Sequence, residues 1–240
     1  MALPLRDNVP SRSFPYVNWA IIGACVAVWI WELTKPGVDV HVLRDGFYPC
    51  TVHGPCIAPA PAHPLHWWEG VFTGMFMHAS WQHIGGNMLF LWIFGDNVED
   101  AIGHVGYLFW YLAGGVAAFA AQTAVTLELG SRQDASVPNI GASGAIAAVL
   151  GGYFVLLPQA RVLTLFFFGI IFIREIPAVW FLGIWILLQA WSGGLSLVSP
   201  HAAGGTAFFA HIGGFTFGIA TILLVARNRP RAPTARSPVY

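Results

Sequence analysis

Charge is what this sequence has least of. Of its 240 residues, 9% are Asp, Glu, Lys or Arg, against about 25% in ordinary globular chains. So few charges cannot solvate the surface of a protein this size. With 56% hydrophobic residues and a mean hydropathy of +0.64, lipid must act as the solvent for much of the chain. The formal net charge is +0, and no basic patch interleaved with aromatics is present, so nucleic acid is not an expected partner. Every aspartate (Asp7, Asp39, Asp45, Asp96, Asp100, Asp134) falls in a loop or at the end of an apolar run. An aspartyl protease working inside a membrane needs two facing carboxylates, so that mechanism is excluded. No HExxH pair accompanies the histidines either, which leaves zinc proteolysis without support.

Cysteine is scarce as well. Cys25 lies in the first apolar run and reads as a small packing residue. Cys50 and Cys56 flank TVHGP in a Pro- and Gly-rich loop that also holds His41, His53, His63 and His66. A disulfide, a metal site and an unlinked pair all remain open there. The disulfide is favoured, because the spacing matches no standard zinc pattern.

What the chain does have is long apolar runs. Residues 1–15 are polar and broken by Pro10 and Pro15, and read as an inner N-terminal segment. Apolar runs at 16–34, 74–94, 105–125, 141–157, 178–191 and 206–225 read as six membrane spans. The first is expected to be an uncleaved anchor, since it is long and lacks a clear A-x-A exit. Residues 35–73 form a long outer loop ending near Trp67 and Trp68, an aromatic pair suited to the membrane interface. The run at 162–173 is too short to cross comfortably and is expected to lie at the interface or against the bundle. Residues 227–240 are a basic, Pro-rich tail expected to be disordered. The whole reads as an all-α polytopic bundle over 16–226.

Basic residues set its orientation. With the N-terminus inside, the inner segments carry Arg6, Arg12, Arg161, Arg174, Arg227, Arg229, Arg231 and Arg236, while the outer loops carry Lys35, Arg44 and Arg132. This satisfies the positive-inside rule and gives an N-in/C-in topology. Spans two, four and six then run from outside to inside, and His83, Asn87, Ser143 and His211 each sit in the first turns of one of them. At about 1.5 Å rise per residue these four polar side chains share one shallow depth.

A serine at a helix start has free backbone N–H groups and a positive dipole end beside it, both suited to a developing oxyanion. Ser143 stands between Gly141 and Gly144 in GASGA; small residues there, with Gly213, Gly214 and Gly218 in AHIGGFTFG, let two membrane helices pack closely. A histidine at matching depth can act as general base towards that hydroxyl and later protonate the leaving amine. His83 and Asn87, four residues apart, share one helix face and both can donate hydrogen bonds to an oxyanion. A structural polar cluster, a metal site on His78 and His83, and a histidine-lined transporter compete with this reading; the last lacks a polar path through the inner half of spans four and six.

GASGA with Ser143, AHIGG with His211, and H-x-x-x-x-H-x-x-x-N with His78, His83 and Asn87 closely resemble the rhomboid intramembrane serine proteases, over roughly residues 67–226. GDNVED after span two is similar to bacterial members and, with no transit-like N-terminus, favours a bacterial cytoplasmic membrane. The resemblance implies a six-helix fold, a Ser143–His211 dyad, and an oxyanion site of the Ser143 N–H, His83 and Asn87, with no cofactor and no metal. It implies cleavage of single-span membrane proteins near the outer face, with lipid as the surrounding partner. His78 and the glycines Gly141, Gly144 and Gly214 fall to supporting roles, and Glu99 to a structural tie between helices. Two departures stand out. Trp68 is followed by Glu69 where members often carry Arg, and Ala147 replaces the aromatic that in some members stacks on the catalytic histidine, so another group must orient His211. The alternative is a non-catalytic rhomboid-like binder of transmembrane helices, which would need neither Ser143 nor His211.

Overall fold

The computed structural model describes residues 2–34, 37–167, 169–198 and 207–227. Its helices are α1 (Tyr16–Glu32), α2 (Val38–Asp45), α3 (Trp67–Gly74), α4 (Trp81–Ile102), α5 (His104–Leu129), the single-turn α6 (Arg132–Ala135), α7 (Ser143–Leu156), α8 (Ala178–Val198) and α9 (Phe208–Val225). Three of them, His104–Leu129, Ala178–Leu197 and Phe208–Val225, are long and apolar enough to cross a membrane; α1 and α7 are shorter apolar helices. α4 is long but carries Asn87, Asp96, Asn97, Glu99 and Asp100.

The expectation of an all-helical chain is corrected by a three-stranded antiparallel sheet, β1 (Ala2–Asp7), β2 (Arg161–Phe167) and β3 (Ile171–Pro177), in the order β1-β2-β3. The apolar stretch at 162–173 is therefore a β-hairpin, and the N-terminal segment is its third strand. Ala2 pairs with Phe166 and Asp7 with Val162, with a register shift between Pro4 and Arg6. Phe167 pairs with Ile171 around Gly169, whose φ is 83°. The far half of the hairpin is apolar on both faces, with Phe167, Ile170, Ile171 and Ile173 exposed.

The second span is also corrected. The chain breaks between α3 and α4, and α4 begins only at Trp81 and continues through GDNVED to Ile102. Ser80 starts it, its hydroxyl accepting the His83 N–H at 3.1 Å, the ordinary means of satisfying a free helix-start donor. Glu69 accepts the His66 N–H at 3.1 Å and so helps open α3 instead of making a loop contact. The long outer loop contains α2 and a 3-10 turn at Pro49–Thr51, and the sulfurs of Cys50 and Cys56 lie 1.97 Å apart, a disulfide bond. The tail at 228–240, with Arg229, Arg231 and Arg236, and Lys35 lie outside the described residues.

α7 is the axis of the bundle. Ten of its residues, Gly144 to Tyr153, are buried, and α9 lies along it at close range. A Cβ on Gly214 would fall 2.0 Å from the Gly144 carbonyl oxygen, and one on Gly218 would fall 2.1 Å from that of Ala148. Two helices this close hold their side chains in register, as small-residue interfaces in membranes do. At the other end, Glu99 on α4 accepts the backbone N–H groups of Val17 at 3.1 Å and Asn18 at 2.7 Å. A carboxylate thereby satisfies free donors in the first turn of α1.

Candidate active site

Ser143 is the first residue of α7 and follows Gly141, whose φ of 117° is a conformation L side chains rarely adopt. Gly141 also leaves a space. A Cβ there would sit 2.6 Å from His83 Nε2 and 3.6 Å from Ser143 Oγ, so the missing methyl group opens a small gap between hydroxyl and imidazole. His83 Nδ1 accepts the Ala79 N–H at 3.4 Å. That leaves Nε2 as the protonated, donating nitrogen on the side of the gap.

Asn87, one turn further along α4, is buried, and its Nδ2 has no hydrogen-bond partner. A buried amide donor with nothing to bind costs about 1–3 kcal/mol. His78 stands in the connection before α4, fully buried. Its Nδ1 is 3.1 Å from the Phe76 carbonyl, its ring edge is against His83 at 5.0 Å, and its backbone N–H is held by the buried Glu32 carboxylate at 3.2 Å. It supports the His83 ring.

His211 lies in the first turn of α9. Gln122 on α5 places that turn, its Oε1 accepting the N–H groups of Phe209 at 3.1 Å and Ala210 at 3.2 Å. His211 Nε2 is 2.8 Å from Ser143 Oγ. The two side chains that lie 68 positions apart in sequence thus meet in one hydrogen bond between α7 and α9, in the interior of the apolar helices. The fold brings Ser143 against His211 and, across the space left by Gly141, towards His83, while Asn87 lies one turn beyond His83 on the same helix.

One partner was not expected from sequence. His211 Nδ1 is 2.7 Å from Gln189 Oε1, and the Trp185 ring lies 5.7 Å from the His211 ring. Gln189 and Trp185 are four apart on α8 and share its inner face. Its one signal in the sequence was the presence of an amide side chain inside the apolar run WFLGIWILLQAW. Among the described residues, no group of three or more His, Cys, Asp or Glu side chains is gathered where it could hold a metal ion.

A family model described as "Rhomboid domain" matches residues 64–228. The chain belongs to the rhomboid family. It is similar to Rhomboid protein 1, mitochondrial, of Saccharomyces cerevisiae, at 28% identity over 155 residues, 62% of this chain and 39% of that protein. It is similar to Presenilin-associated rhomboid-like protein A, mitochondrial, of Danio rerio, at 31% over 150 residues, 60% of this chain and 34% of that protein. Rhomboid-like protein 11, chloroplastic, of Arabidopsis thaliana matches at 34% over 84 residues, 35% of this chain and 28% of that protein. This rhomboid therefore spans well under half the length of these relatives. They are mitochondrial and chloroplastic proteins, which gives no support to the bacterial cytoplasmic membrane expected from the sequence.

Proposed function

We propose that this rhomboid is a multi-pass serine endopeptidase that cleaves single-span membrane proteins near the outer membrane face. The Ser143 Oγ to His211 Nε2 hydrogen bond of 2.8 Å carries the reading. A hydroxyl is a weak nucleophile until a base takes its proton, and a base is within hydrogen-bond reach here.

Ser143 Oγ attacks the scissile carbonyl carbon as its proton passes to His211 Nε2. The carbonyl oxygen becomes an oxyanion in the gap left by Gly141, where the Ser143 N–H at the start of α7, the His83 Nε2–H and the unpartnered Asn87 amide supply donors. Collapse of the tetrahedral intermediate breaks the C–N bond, and His211 returns its proton to the leaving amine. Water, deprotonated by His211, then hydrolyses the acyl-Ser143 ester. Each preorganised oxyanion donor contributes about 3–4 kcal/mol of transition-state stabilisation in sites of this kind.

The topology that fits this chemistry is six spans, N-in and C-in, with the membrane domain over 16–226. Three helices meet the length and composition of a span, with α1, α4 and α7 as the remaining three. The experiment is cleavage of a single-span substrate by the protein in liposomes, with Ser143→Ala as the control. Cleavage by wild type, absent from the variant, supports the endopeptidase. Binding of the substrate by both without cleavage supports the helix-binder reading.

A further inference from the structure

We infer that Gln189 is a positioning residue, the third member of a Ser143–His211–Gln189 chain, and that it sets the tautomer in which His211 acts as a base. The inference rests on the protease reading. Each nitrogen of the His211 ring has one partner: Nδ1 is 2.7 Å from Gln189 Oε1 and Nε2 is 2.8 Å from Ser143 Oγ. An amide oxygen only accepts, so Nδ1 carries the proton and donates it to Gln189. Nε2 is then left with its lone pair facing the Ser143 hydroxyl, which is the form that can remove the serine proton. Were Nε2 protonated instead, the ring would donate to Ser143 and could not act as base.

The ring's angle is set from the same helix. Trp185, one turn before Gln189, lies against the His211 ring at 5.7 Å and 37°. Together they do from α8 what an aromatic at position 147 would do from α7, where this chain has Ala147. Gln189 is the only amide or charged side chain in the apolar span Ala178–Leu197. A polar side chain in such a helix is costly unless it faces a partner in the bundle, and His211 is that partner. A satisfied structural polar pair would also explain its presence, so the test must read chemistry rather than packing.

The amide differs from a carboxylate in one respect. It orients the ring but adds no full charge to hold the imidazolium that forms during attack. The titratable group acting on His211 is His83 on α4, and no carboxylate among the described residues acts on it from the helices around it. A Gln189→Glu variant keeps an accepting oxygen and adds a negative charge, which favours the charged form of the ring. Because the base must be neutral to work, the acid limb of the pH–rate profile then moves to higher pH. Gln189→Ala removes the acceptor and frees the ring to adopt either tautomer.

The experiment measures kcat and KM against pH for wild type, Gln189→Ala and Gln189→Glu in liposomes with a fluorogenic single-span substrate. In parallel, nitrogen NMR of histidine-labelled Ser143→Ala protein reads the tautomer, with His211 assigned by the resonances lost on a further His211→Ala change. The expected results are a kcat for Gln189→Ala lower by roughly 10- to 100-fold with KM little changed, as for other orienting partners of functional histidines; an acid limb raised by about a unit or more in Gln189→Glu; and a His211 protonated at Nδ1. A packing role predicts that folded Gln189→Ala keeps the wild-type kcat, and that result overturns the inference, as does a His211 protonated at Nε2. Should Gln189→Ala fail to fold, the His211 tautomer read in protein that keeps Gln189 still decides. Should wild type cleave nothing, the protease reading fails, while the tautomer still decides whether Gln189 positions His211.

Discussion

The Ser143 hydroxyl is chemically inert until its proton has a destination, and the residues around it are arranged to supply one. In the proposed reaction His211 accepts the proton, and Gly141 keeps open the space into which charge develops. In the same proposal the buried Asn87 amide, which has no hydrogen-bond partner in the structure, makes an oxyanion contact that strengthens only in the transition state. Asn87→Ala is therefore expected to lower kcat by about 10²–10³-fold with KM little changed. Steady-state kinetics on a single-span substrate would show it, and a change confined to KM would remove Asn87 from the oxyanion role. These residues stood out in the sequence because each lies in a short motif with small residues, and Ser143 and His211 sit on helices with few other polar side chains. Gln189 was not legible as part of the site. Nothing in the run around it says which way the amide points, and its contact with His211 across 22 positions exists only once α8 packs on α9.

At the scale of elements, the site depends on how closely α7 and α9 approach. Gly214→Ala drives a Cβ to 2.0 Å from the Gly144 carbonyl oxygen, and should cost about 3 kcal/mol, at the upper end for overpacking. Gly194→Ala on α8, where nothing lies within 4 Å, should cost nothing or stabilise by a few tenths of a kcal/mol, since Ala is the better helix former. Unfolding temperatures of the two variants in detergent compare them directly.

The sheet makes a second prediction. The Tyr153 hydroxyl donates to Asp7 Oδ2 at 2.5 Å and the Asn97 amide donates to it at 3.1 Å, joining β1 to α7 and α4. Burial, with a smaller contribution from the nearby Asp96 charge and against the Tyr153 bond, pushes the Asp7 carboxyl up from 3.8 to about 7. The folded value lies above the unfolded one, so the fold favours the neutral acid. Docking of β1 is then strongest below about pH 4 and weakens as pH rises from there through about 7. The protection of the β1 amides, taken relative to their base-catalysed intrinsic exchange rate at each pH, should fall across that window in wild type and stay level in Asp7→Asn. This sheet was not legible in the sequence. The run at 162–173 is uniformly apolar, and a short apolar run shows the same lack of period whether it forms a strand or a buried helical segment. The β-branched Ile residues at 170, 171 and 173 and the glycine at 169 were the available signals for a hairpin.

At the scale of the molecule, scarcity of charge assigned lipid as the solvent, and the apolar helices around a buried α7 follow from that. The same scarcity makes each buried polar contact informative, because the bundle has few of them and several converge on His211 and the gap beside Ser143. Charge bias gave an orientation, whereas helix lengths and breaks depended on packing and caps such as Ser80. The central claim is that these contacts activate one serine inside an apolar bundle. A fluorophosphonate probe applied to the folded protein in liposomes tests it most directly, because the probe reacts with an activated serine regardless of the natural substrate. Labelling of wild type, absent from Ser143→Ala and from His211→Ala, is the predicted result. A folded wild type that resists the probe, or labelling that persists in Ser143→Ala, would contradict the account.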